Sequence, residues 1–175
     1  MIGNKRGYAM VEMIVAIGLF AAIVVIAGGT FQSVIIGQRS TLAAQNIEEA
    51  LRYSLEMASK EIRNAQINTS ECSLVGAGNI YNTNAAKSEL YLKNKDNKCV
   101  QYYLSGGQLY VSRGTDNLPI TPSSMNITSL KFIVRQGAAV QPSATVLISG
   151  YVLGQNMQRQ EMKMQTTISS RYYSD

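Results

Sequence analysis

The residue best placed to do chemistry in this chain is Glu12, the one charged side chain in an otherwise apolar run from Gly7 to Gly37. A charge at mid-bilayer depth costs about 2.5–3.5 kcal/mol on insertion scales, so a carboxylate kept there implies a partner and a function. Lys5 and Arg6 stand immediately before Gly7 and set a basic flank. Cys72 and Cys99, the only cysteines, are the second pair of interest. On the outer side of a membrane they could close a bond, stabilising by roughly 3 kcal/mol in the chain-entropy model. Two unpaired, partly buried thiols are the alternative.

Catalysis finds little support in the sequence. The chain has no histidine, no zinc-type cysteine cluster and no Gly-x-Ser-x-Gly elbow. The acids after residue 66 are Glu71, Glu89, Asp96, Asp116, Glu161 and Asp175, scattered singly. Neither a paired-carboxylate site nor a calcium loop stands out, so no enzyme activity, cofactor or metal is expected.

The elements that position Glu12 are legible from hydropathy. No proline interrupts residues 8–65. Met13 to Ile36 is long enough to span a bilayer, which takes about 20 apolar residues. Gly18, Gly28 and Gly29 weaken this helix but let other helices approach closely. An ordinary secretory signal has an apolar region of only about 7–15 residues and a small-residue cleavage site. Ala27-Gly28-Gly29 mimics such a site, but Thr30 to Ile36 continues the apolar run beyond it. A plain signal-anchor helix remains open, with the same orientation, because Lys5 and Arg6 hold the N-terminus in the cytoplasm.

From Gln38 the pattern becomes amphipathic. Ala44, Ile47, Leu51, Leu55, Ala58, Ile62 and Ala65 form one stripe at helical spacing. Glu48, Glu49, Arg52, Glu56, Lys60, Glu61 and Arg63 stand between them and read as a solvated face. After Ala65 the period becomes alternating. Residues 76–86 read as a long loop. A three-strand meander follows, over 89–93, 98–104 and 108–113, with turns at Asn94–Asn97 and Gly106-Gly107. Pro119 to Ser124 reads as a loop, and further strands cover 127–135, 144–153 and 160–169. Gly137 to Pro142 and Gly154-Gln-Asn156 separate those strands. The expectation is an α+β protein. Its long N-terminal α-helix spans the membrane with its first half and lays its amphipathic second half on a C-terminal antiparallel β-sheet domain.

The basic residues, Gly7, the aromatic Tyr8 and the carboxylate of Glu12 together resemble the class III leader of type IV pilins and pseudopilins. The resemblance implies cleavage after Gly7 by a prepilin peptidase and N-methylation of Tyr8, where most members carry Phe or Met. It implies that Glu12 neutralises the terminal amine of a neighbouring subunit during assembly. The implied organisation is a leader at 1–7, a transmembrane and assembly helix at 8–37, an amphipathic half at 38–66 and a β domain at 67–175. Lys60-Glu-Ile-Arg-Asn-Ala65, the meander and the close Thr166-Thr-Ile-Ser-Ser-Arg171 loosely resemble J-type minor pseudopilins of type II secretion. Some pseudopilins bind calcium through Asp-rich loops, which this sequence lacks. Tip subunits often lack the carboxylate, so Glu12 argues against that position.

The implied partners are other pilins through the N-terminal helix, the prepilin peptidase, the inner-membrane assembly platform and membrane lipid. The implied location is the cytoplasmic (inner) membrane, single-pass, with the C-terminal domain outside, then the filament. Two of the 16 basic residues lie in the leader, so the cleaved chain carries 14 against 11 acids, too small an excess to imply nucleic acid. Two other readings are a DNA-receptor pilin of a competence filament and a bitopic anchored domain that does not polymerise. For the first, Lys93, Lys95 and Lys98 with Tyr91 and Tyr102 would contact phosphate and stack a base. Processing gives the first prediction. Intact mass of the chain from host membranes should show loss of residues 1–7 and a methyl group on Tyr8; retention of Met1 to Gly7 beside processed pilins would reject it.

Overall fold

The structure is a computed structural model that describes residues 6–137, 140–153 and 159–172, with only the backbone of residues 6–9. It is α+β, with one long helix and two antiparallel sheets. Helix α1 runs Arg6–Arg63 without a break. The chain divides into two units, Met1–Leu42 and Ala43–Asp175.

In the second unit the apolar stripe of α1 is the spine of the core. Ile47, Leu51, Leu55, Ala58 and Ile62, with Ala65 just beyond the helix, are all buried. Ala44, at the start of the stripe, is only half-buried. Burying a Leu or Ile side chain is worth about 1.5–3 kcal/mol, so the stripe fixes which helix face meets the sheets. The helix end is held by both sheet regions. Tyr81 Oη donates to the Ile62 carbonyl at 2.6 Å, and the Arg171 amide donates to the Arg63 carbonyl at 2.8 Å. These satisfy carbonyls that a helix terminus leaves without partners. Lys60 and Arg63 in the last turn complement the helix dipole.

The first sheet has the order β1 (Tyr81–Thr83), β2 (Leu90–Lys93), β3 (Cys99–Ser105), β4 (Gln108–Arg113), β5 (Asp116–Pro119). The expected meander is β2 to β4, with Val100, Tyr102, Leu109 and Val111 inward. Ser105 pairs with Gln108 across a two-residue turn whose glycines, Gly106 and Gly107, both have positive φ (55° and 77°). The second sheet has the order β6 (Met125–Gly137), β7 (Val140–Leu153), β8 (Arg159–Ser169). Its inward residues include Leu130, Phe132, Val146, Ile148 and Ile168. The sheets meet along β6, where the Gln136 amide accepts from the Ile80 and Tyr81 N–H groups and donates to the Tyr81 carbonyl.

Three expectations need correction. Residues 76–86 are not all loop, because Tyr81–Thr83 pairs with β2 and Tyr81 is wholly buried. Pro119 closes a strand, β5, rather than opening a loop; every residue of β5 is exposed, so no alternation marks it. Pro142 lies within β7, not in a break. It sits where the β6–β7 register shifts, and the β7–β8 ladder begins only at Ser143, so its missing N–H costs no ladder bond. The expected turn at Gly154-Gln-Asn156 lies outside the described residues.

Gly150 tests the packing of β6 on β7. A Cβ there would lie 2.8 Å from the Asn126 carbonyl oxygen and 3.2 Å from the Ile127 Cα, both backbone atoms. Gly150→Ala should therefore destabilise by about 1–3 kcal/mol through forced backbone movement. Chemical denaturation of parent and variant checks this, and equal midpoints would contradict the close approach.

Candidate functional site

The first unit presents apolar side chains with nothing covering them. Met13, Phe20, Val25 and Phe31 are 66%, 69%, 74% and 69% exposed. Helix α1 is long and apolar enough to cross a membrane, and residues 10–34 are all exposed. Thr30 returns its hydroxyl to the Ile26 carbonyl at 2.9 Å, so this polar group is satisfied within the helix. Such internal pairing is what a lipid-facing helix requires. Added Cβ atoms at Gly18, Gly28 and Gly29 would meet nothing within 4 Å, so none of these glycines is required by packing within the chain.

Glu12 is exposed on this helix. Helical spacing places it above Val15, Ala16 and Leu19 on one face. Gly7 and Tyr8 lie in the helical backbone, and the Tyr8 side chain is outside what the structure describes. A carboxylate on an uncovered apolar helix can accept a cationic group that arrives with a second apolar surface, where low dielectric strengthens the attraction.

In the second unit the polar residues gather around Glu61. Its carboxylate accepts from Arg113 Nε at 3.0 Å and Nη2 at 2.8 Å, Tyr102 Oη at 2.6 Å and Asn94 Nδ2 at 3.1 Å. The expectation that Glu61 belongs to a solvated face is wrong: its side chain is 15% exposed. It flanks the buried stripe and turns onto the meander. Arg113 holds the signal that the helix pattern lacks, since it continues the inward series Leu109, Val111 along β4. A cation at an inward position requires a carboxylate opposite. Burial pushes the Glu61 carboxyl up, but bonds from Arg113, Tyr102 and Asn94 outweigh it and hold the group below its ordinary value. Burial and the same carboxylate push the Tyr102 phenol up.

Cys72 and Cys99 are joined by a disulfide with Cα atoms 5.6 Å apart, tying the loop after α1 to β3. Beside it, Lys93 Nζ pairs with Glu71 at 3.1 Å, and Lys93 is 4% exposed. Bonds from its own backbone N–H, Thr69, Lys93 and the Ser70 N–H hold the Glu71 carboxyl at about 2. The imagined nucleic-acid cluster does not assemble. Lys93 is buried on Glu71, Lys95 pairs with Asp96 at 3.0 Å, and Tyr102 is buried with its hydroxyl on Glu61. Among the described residues, no group of three or more His, Cys, Asp or Glu is placed to hold a metal ion. No protein-family model, curated protein or solved structure matches this chain.

The Glu61 cluster yields a prediction with a definite sign. Its folded pKa is lowered, so its contribution is present above the ordinary 4.5 and is lost as pH falls through the folded value. Glu61→Gln should cost about 1.5–3 kcal/mol at pH 7, the range for hydrogen bonds to charged groups. The variant should lose less stability than the parent on acidification to pH 3. Unfolding followed by circular dichroism at both pH values measures this; parallel losses would show that Glu61 is not an ionised anchor.

Proposed function

We propose that this chain is a minor pilin or pseudopilin, a structural subunit of a type IV pilus-like or type II secretion filament rather than an enzyme. One observation carries the reading. An uncovered apolar helix bearing a single carboxylate, Glu12, continues without a break into the amphipathic core helix of a folded domain. A subunit that waits in lipid and then packs helix on helix needs this combination. The basic residues Lys5 and Arg6 before Gly7 supply the processing signal and place the N-terminus in the cytoplasm. The domain from Ala43 onward then stands outside the cytoplasmic membrane.

In this mechanism the monomer is held by burial of residues 13–36 in the bilayer. After cleavage, the new amine at Tyr8 of an incoming subunit lies at the depth of a neighbour's Glu12. Pairing the two removes two unfavourable charges from lipid at once and fixes the axial register. Gly18, Gly28 and Gly29 permit close helix approach in the filament. The prepilin peptidase and the inner-membrane assembly platform are the partners this sequence of events requires. A competence role with the lysine turn as DNA receptor loses support, because Lys93 and Tyr102 are buried.

Glu12→Ala tests the reading. It removes a charge that is unfavourable in lipid, so membrane level and cleavage should match the parent. Incorporation into sheared or cross-linked filaments should fall about tenfold or more, the equivalent of about 1.4 kcal/mol or more of lost pairing. Equal incorporation would make Glu12 incidental. Filaments that contain neither parent nor variant would favour an anchored domain that does not polymerise.

A further inference from the structure

The outer face of the first sheet has a composition that the filament reading does not use. Registers in β2, β3 and β4 lay out two adjacent rows on the side opposite the core. One row begins with Glu89, just before β2, and continues through Tyr103 and Tyr110, which pair directly. The Tyr103 and Tyr110 rings stack with centroids 5.7 Å apart and planes at 23°. The next row holds Tyr91, Gln101 and Ser112, paired in sequence across the three strands. Tyr91, Gln101 and Ser112 floor a half-open cavity of about 220 Å³, walled by the disulfide-tied segment 71–75.

The polar groups on this face are prearranged. Glu89 Oε2 accepts from Tyr91 Oη and from Gln101 Nε2 at 2.9 Å. That bond pushes the Tyr91 phenol up to about 12, so it remains a neutral donor at physiological pH. No cation stands in either row. Lys93, next on the same face, is buried against Glu71, and Arg113 is turned inward onto Glu61.

We propose that this face binds a neutral saccharide, with one sugar ring in the cavity and the next packed against the stacked Tyr103–Tyr110 pair. The C–H face of a pyranose is apolar and weakly positive, and it complements the negative face of an aromatic ring. Its hydroxyls match the amide of Gln101, the hydroxyl of Ser112 and the carboxylate of Glu89. The cavity is smaller than the roughly 300–1,000 Å³ of sites for drug-sized ligands, which fits a single ring. Charge decides against the competing occupant. Single-stranded nucleic acid also stacks on aromatic rows but needs a positive groove along its backbone. Here the one ionised group in the rows is a carboxylate, which repels phosphate and accepts from sugar hydroxyls. The inference rests on the sheet alone and holds whether or not the chain enters a filament.

The test is affinity electrophoresis of the full chain, in a detergent without a sugar head group, through gels containing mixed-linkage β-glucan, xylan or galactomannan. Retardation is expected in at least one of these neutral polysaccharides. Tyr110→Ala should weaken it at least tenfold and Tyr110→Phe should leave it within twofold. Ser112→Arg, which plants a long cation in the cavity floor, should also weaken it at least tenfold without touching the stacked pair. Thermal unfolding of each variant establishes that it is folded. The proposal is overturned if none of the three polysaccharides retards the chain, or if folded Tyr110→Ala and Ser112→Arg are retarded like the parent. It is equally overturned if a single-stranded oligonucleotide binds more tightly than the saccharides.

Discussion

The structure depends on burial of one helical stripe. Ile47, Leu51, Leu55, Ala58 and Ile62, continued by Ala65, share a single core with residues from both sheets. The three-stranded β6–β8 sheet contributes Phe132, Val146, Ile148 and Ile168, and the five-stranded sheet contributes Leu90, Leu92, Val100 and Val111, to that same core. The polar bonds follow from this seating. Ser54, buried on the helix, has its one hydroxyl proton within reach of the carbonyls of both Ala50 and Ile120, and Glu61 receives Arg113 and Tyr102. Each closes a polar group that seating the stripe removes from water.

The same helix carries an apolar run in the first unit, where its side chains are exposed. Water is a poor solvent for Met10 to Ile36, and no element of the first unit shields it. The helix is long and apolar enough for a bilayer to supply the missing environment, and under the proposed function the helices of other subunits would supply it after assembly. In both, a charge such as Glu12 must be matched by an opposite charge of similar depth. The proposed function follows from that requirement rather than from any feature of the β domain. The domain's outer surface is therefore available for recognition, and its tyrosine rows give it a chemistry of its own.

Strong periodicity made most of the fold readable in advance. The 3.6-residue stripe, the alternation of Val100 and Tyr102, and Gly106-Gly107 each constrain structure locally, and the observed elements follow them. The short strands gave no such signal. Asp116–Pro119 is exposed throughout, and three of its four residues, Asp116, Asn117 and Pro119, are turn-forming types; only Gly114-Thr115, a two-residue hairpin turn between paired Arg113 and Asp116, marks it. Tyr81–Thr83 is held by Gln136, 55 residues from Tyr81, which no local pattern reveals. The Glu61 cluster was hidden for the same reason. Its partners Asn94, Tyr102 and Arg113 lie 33, 41 and 52 residues away, and only the inward position of Arg113 hints at it. Glu12 was visible because a charge in a long apolar run stands out without any tertiary information.

The central claim is that residues 13–36 exchange lipid for neighbouring helices. Its most direct test is cross-linking through a single cysteine introduced by Ala21→Cys, within the exposed apolar run and in the other unit of the chain from the Cys72–Cys99 bond. Host cells able to assemble filaments are compared with cells in which assembly is blocked. The account predicts intersubunit cross-links at position 21 in the first, their loss in the second, and protection from a membrane-impermeant thiol reagent in both. Labelling by that reagent before assembly, or no cross-link to any other subunit in assembling cells, would contradict it.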